Sequence, residues 1–152
     1  MTEAYIYDAV RTPRGKGRPD GSLHEVTSVR LSAQVLNALK ERNGLEGHAV
    51  EDVIWGNVTQ VGEQGGCLAR TAVLASDLDQ SIPGLAINRF CASGMEAVNL
   101  AANQVRGARR LSATCMIASK YPSTLPQSNR RPFRVTASTS PRAAWTLMAS
   151  AS

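Results

Sequence analysis

Long apolar runs are missing from this 152-residue chain. No stretch reaches 18 apolar residues, so nothing in it has the length of a membrane-spanning helix. No charged-then-apolar leader opens the sequence, and the expected setting is soluble and cytoplasmic, with no membrane partner. Cysteine is scarce too. Cys67, Cys91 and Cys115 form no CxxC pair and no metal-ligand spacing, so the expectation is free thiols in a reducing compartment. The only two histidines, His24 and His48, lack ligand-like neighbours at helical spacing, and no metal site is expected. Aromatics make up 5% of the residues. Small aliphatics supply the apolar fraction instead, which suits helices packed closely on a sheet. The Gly-rich stretch at 60–66 fits neither GxGxxG nor GxxxxGK[ST], which excludes a nucleotide cradle there.

Acidic residues vanish after residue 107. Residues 1–107 carry ten Lys/Arg and twelve Asp/Glu, whereas residues 108–152 carry seven Lys/Arg and no acid. The net charge of +5 therefore belongs to the tail. That tail is rich in Ser, Thr and Pro and shows no sustained period of two or 3.6, the composition of a disordered segment. An abrupt switch to Arg, Ser, Pro and Ala is also what an out-of-frame reading of a GC-rich gene produces. The basic charges are scattered, aromatics are few and no recognisable module accompanies them, so no nucleic-acid partner is expected. Two regions follow: 1–107 as the folded part and 108–152 as a basic tail.

Within 1–107, strand and helix patterns alternate. A strand is expected over 4–10, ended by Arg11-Thr12-Pro13 and a loop marked by Gly15, Gly17, Pro19 and Gly21. A helix is expected over 28–42, with Leu31, Val35 and Leu39 four apart, Leu36 widening the stripe, and Asn43-Gly44 as its stop. Val53-Ile54-Trp55 begins a second strand. A short helix over 68–74 has Ala69, Ala72 and Val73 on its apolar side, and a third strand covers 85–90. The helix after Cys91 places Met95, Val98, Ala102 and Val105 on one face and ends at Gly107. Alternation of this kind predicts an α/β fold with a mostly parallel, helix-covered sheet. On this reading the sheet stops after its third strand, with one edge open.

Cys91 stands where the third strand hands over to that helix. A residue there lies near the positive end of the helix dipole, which favours negative charge. Gly94 removes side-chain bulk one turn in, so a substrate carbonyl has room beside backbone amides. The alternative is plain: most lone cysteines are small core hydrophobes. Arg11-Thr12-Pro13-Arg14 has two readings as well, a phosphate contact or a solvated turn, and the turn is favoured.

The segment Ile87-Asn88-Arg89-Phe90-Cys91-Ala92-Ser93-Gly94-Met95-Glu96-Ala97 resembles the nucleophile segment of the thiolases, the acetyl-CoA acetyltransferase and 3-ketoacyl-CoA thiolase family. Asp8-Ala9-Val10-Arg11-Thr12-Pro13-Arg14-Gly15-Lys16 resembles the family's opening strand and turn. Gly56-Asn57-Val58-Thr59-Gln60-Val61-Gly62-Glu63-Gln64, followed by Ala69-Arg70, resembles its second strand and loop. The resemblance covers about residues 1–107 and implies an incomplete first half of a two-half fold. It implies that Cys91 is the acyl-thioester nucleophile of an acyltransferase. It implies coenzyme A thioesters as substrates, no separate cofactor, and a homo-oligomeric full-length parent with Arg70 near the subunit contact. The family's two histidines, in Asn-Glu-Ala-Phe-like and Gly-His-Pro motifs, and its second cysteine, in Cys-x-Gly-Gly, match nothing here. Three readings stay open: an incomplete and inactive acyltransferase fragment, an interaction fragment that pairs with an intact thiolase subunit, or an unrelated thiol protein.

Overall fold

Val53, Ile54 and Trp55 are each at most 2% exposed, and the fold is organised around them. A strand buried at three consecutive positions needs cover on both faces, as in parallel sheets. The computed structural model describes residues 4–16, 18–46 and 49–107, and the backbone of two further strands at 114–116 and 133–134. In chain order the elements are β1 (Tyr5–Ile6), α1 (Ser28–Asn43), β2 (Val53–Gly56), a 3-10 turn (Gly62–Gln64), α2 (Leu68–Leu74), β3 (Gly84–Ile87), α3 (Ser93–Gly107), β4 (Thr114–Met116) and β5 (Phe133–Arg134). The main sheet has the order β3-β2-β4 and is parallel throughout, while β1 and β5 form a separate antiparallel pair.

Alternation along β2 divides the core into two layers. Val53 and Trp55 pack with Leu36 of α1 and with Leu68, Ala69, Ala72 and Val73 of α2. Ile54 points the other way, onto Ala97 and Ala101 of α3, with Ile87 and Leu100 beside them. Two helices cover one face and α3 the other, the three-layer α/β arrangement expected.

Helix α1 starts where the Thr27 hydroxyl accepts from Arg30 N at 3.2 Å and stops at Gly44, which takes the left-handed conformation at φ 58°. Its buried positions are Ser32, Ala33 and Leu36, with Val29, Val35 and Leu39 packed alongside. The stripe therefore centres on Leu36 rather than on the Leu31–Val35–Leu39 row. We predict that Leu36→Ala, at a fully buried site, costs about 2–5 kcal/mol. Urea denaturation checks this; a loss below about 1 kcal/mol would show that the layer collapses around the gap.

Four expectations are corrected. The first strand is two residues long, not seven. Asp8 ends it by accepting from Ala9 N at 2.8 Å, from Arg42 Nη2 at 3.0 Å and from Asn43 Nδ2 at 3.0 Å, which ties the chain to the end of α1. The strand expected over 85–90 ends at Ile87, because Phe90 has φ 46°, a value no strand holds. On α3 the expected Ala102 is buried with Val105 packed beside it, but towards the N-terminal end the buried residues are Ser93, Ala97 and Ala101 rather than Met95 and Val98, since small residues let the helix sit close on β2. The sheet does not stop with an open β2 edge: residues 114–116, counted with the tail by composition, pair in parallel with β2 from Val53↔Thr114 to Trp55↔Met116. The expectation of disorder falls on residues that, apart from β4 and β5, lie outside those described.

Candidate active site

Helix α3 reaches the sheet at a point where neither partner has a side chain. A Cβ built on Gly56, at the end of β2, would stand 2.5 Å from Gly94 N and from Ser93 C. That contact fixes the start of α3 against the end of β2. The turn from β3 into α3 is held just beside it.

Three side chains shape this turn. Asn88 accepts from Phe90 N at 3.0 Å and donates Nδ2 to Val58 O at 3.0 Å. Ser93, 3% exposed, accepts from Arg89 N at 2.8 Å and donates to Phe90 O at 2.6 Å. Arg89 forms an ion pair with Glu96 in the first turn of α3, an acid placed where the helix dipole favours one. Between them Phe90 sits at φ 46°, and among the described residues it is the one non-glycine with positive φ. Cys91 follows it, exposed and unpaired with any other cysteine. An exposed thiol at the head of a 15-residue helix is accessible to an electrophilic carbonyl, which the core-cysteine alternative is not.

The segment after β2 packs beside the turn. Asn57, 4% exposed, continues the strand pairing through its N–H to Ile87 O at 2.9 Å and donates Nδ2 to Gln64 O at 3.0 Å. Glu63 in the same loop accepts from Ser28 N at 2.5 Å, so it caps α1, whose own first turn has no acid.

The chain from residue 4 to residue 116 matches the family model "Thiolase, N-terminal domain". It belongs to the thiolase family. The 3-ketoacyl-CoA thiolase of Cronobacter sakazakii is 39% identical over 106 residues, 69% of this chain and 27% of that protein. The 3-ketoacyl-CoA thiolase of Escherichia coli strain K12 matches to the same extent. Among solved structures, the Bacillus anthracis acetyl-CoA acetyltransferase superposes with a TM-score of 0.61 at 39% identity, over 68% of this chain and 26% of that one. The chain thus spans 27% of the length of the curated thiolases it matches. The match runs through β4, past the 107 boundary drawn from charge.

The other sequence-derived candidates are scattered in this thiolase domain. Arg11 and Arg14 are exposed in irregular chain after β1. His24 is exposed, 3.6 Å from Glu25, and lines an open cleft with Gly15, Lys16, Arg18, Pro19 and Leu23, not with Cys91. Arg70 donates to Ile82 O within the chain. Cys67 donates its thiol to Gly84 O at 3.2 Å, at the start of β3. Among the described residues no group of three or more His, Cys, Asp or Glu is placed to hold a metal, and no helix is long and apolar enough to cross a membrane. Sequence reasoning singled out Cys91 but passed over Asn88 and Ser93. Their signal was local: an Asn two before, and a Ser three after, a residue whose backbone they bond.

Proposed function

We propose that this chain presents the acyl-accepting nucleophile of a cytoplasmic thiolase-family acyltransferase, with Cys91 as that nucleophile and coenzyme A thioesters as substrates. The observation that carries the reading is the exposed Cys91 thiol on the β3–α3 turn, inside the segment that is 39% identical to 3-ketoacyl-CoA thiolases. Sγ adds to an acyl carbonyl carbon, the leaving fragment departs with the bonding electron pair and takes up a proton, and an acyl-cysteine remains. The thiol of coenzyme A then adds to that carbonyl, and the Cys91 sulfur leaves and is reprotonated. Both steps need a base and oxyanion donors. In the thiolase scheme these come from histidine and cysteine motifs that match nothing in this sequence, so the chain alone is an incomplete and inactive site. In the complete assembly, a homo-oligomer with Arg70 near the contact, the remaining groups face Cys91. No cofactor beyond the substrate's coenzyme A takes part.

A chimera supplies those motifs. Residues 4–116 replace the matching segment of the E. coli K12 3-ketoacyl-CoA thiolase. The chimera is expected to cleave acetoacetyl-CoA and to trap a labelled acetyl group on the peptide bearing Cys91, and Cys91→Ser is expected to remove both. Unreduced turnover in a folded Cys91→Ser chimera overturns the assignment.

A further inference from the structure

The Cys91 turn contains a cost that the fold has to meet. A bulky side chain at positive φ is disfavoured, and Phe90 obtains little packing in return, being 77% exposed. Left to itself, residue 90 returns to the negative-φ basin that non-glycine residues prefer. What opposes this is bonded to the two ends of residue 90. Its N–H donates to the Asn88 side chain at 3.0 Å, and its carbonyl accepts from the Ser93 hydroxyl at 2.6 Å and from Ser93 N at 3.0 Å. The two clamps are anchored differently. Ser93 is buried at 3% exposure under the Gly56 contact, so it is fixed to the sheet. Asn88 is exposed, but its amide reaches across thirty residues to Val58 O. The chain at Val58 follows Asn57, which is 4% exposed and bonded to both Ile87 O and Gln64 O. Both ends of the strained residue are thus tied to parts of the fold that lie outside the turn.

We propose that Asn88 and Ser93 are positioning residues that hold Phe90 left-handed and thereby present the Cys91 thiol at the head of α3. The proposal rests on Cys91 being the nucleophile, yet its test needs no acyl transfer, so the two readings fail separately. Asn88 is the residue to vary, since its exposure makes loss of the fold a minor risk.

The test uses the full 152-residue chain and iodoacetamide, with alkylation of Cys91 and of half-buried Cys67 followed separately by peptide mass spectrometry. Asn88→Ala is expected to slow Cys91 at least fivefold while leaving Cys67 within twofold of the parent. A residue that merely supports the fold would instead loosen both sites and speed Cys67. Asn88→Asp retains an acceptor for Phe90 N but loses the donor to Val58 O, and is expected to recover part of the Cys91 rate. Phe90→Gly removes the steric cost of positive φ, so adding Asn88→Ala to it is expected to change the rate less than twofold. Cys91 unchanged or faster in Asn88→Ala overturns the proposal. So does an equal effect of Asn88→Ala with and without Phe90→Gly. Asn88→Ala that speeds both cysteines loosens the fold as a whole and overturns the proposal as well.

Discussion

The purified 152-residue chain is expected to release no acetyl-CoA from acetoacetyl-CoA and coenzyme A above the uncatalysed background. A positioned general base contributes about 10²- to 10⁴-fold to such a reaction. An oxyanion donor adds about 10²- to 10³-fold. Both are expected from motifs this sequence lacks, so their joint loss takes turnover down by roughly 10⁴- to 10⁷-fold. Of the two histidines, described His24 lies in the loop before α1, away from the Cys91 turn. A continuous thiol-release assay at millimolar substrate decides the matter. Robust cleavage that survives Cys91→Ser would mean that the chemistry lies elsewhere in the chain.

Ending the chain at Gly107 rather than at Met116 is expected to destroy cooperative unfolding. The difference is β4. It forms three residue pairs with β2, the strand whose residues Val53 and Ile54 are fully buried. Without β4, backbone donors and acceptors along one side of β2 lose their partners under α3, where water reaches them poorly. Each such orphan costs about 1–3 kcal/mol. Two or three of them approach the whole 5–15 kcal/mol that holds a typical domain together. An open strand edge also invites pairing between chains. Both truncations remove β5, so the comparison isolates β4 from the β1–β5 pair. Chain 1–116 should melt sharply by circular dichroism, whereas chain 1–107 should melt broadly, bind a hydrophobic dye and self-associate. Superimposable melts for the two truncations would show that β4 carries no weight.

Legibility in the sequence followed the physics of each element. Helix α2 was readable over 68–74, because a short apolar stripe between loops leaves few alternatives, and α1 was readable to within one residue through its leucine and valine stripe and the Asn43-Gly44 stop. The face of α3 was legible at Ala102 and Val105 but not in its first two turns. Met95 and Val98 are the bulky apolar residues, but the sheet is approached by Ser93, Ala97 and Ala101, and closeness rewards smallness there. The end of β3 was hidden because Asn88 and Phe90 fit a strand by pattern, and side-chain hydrogen bonds override that pattern. Strand β4 was missed for a different reason. Composition over 108–152 is an average, and three residues pairing with β2 leave no trace in it. Of the candidate site, Cys91 was legible from the strand–helix junction and the family motif together. The residues that hold its turn were not, since neither Asn88 nor Ser93 carries a periodic or compositional mark.

The contact at Gly56 has a consequence for variation in this protein. A methyl group there would meet backbone at 2.5 Å, against 3.4–4 Å for ordinary contact, and neither Gly94 N nor Ser93 C can swing aside as a side chain does. Gly56→Ala therefore asks α3 to retreat from the sheet by about 1 Å, in an interior packed as densely as an organic crystal. The buried alanines of α3 can follow such a shift with modest loss of stability. In the role proposed for Cys91 the sulfur cannot, because a displacement of about that size is enough to cost some 10²-fold in rate. A lineage could accept that change, pass every check on folding and abundance, and still lose its chemistry. Where the Cys91 sulfur stands is decided on another strand, thirty-five positions upstream, by a hydrogen that leaves room.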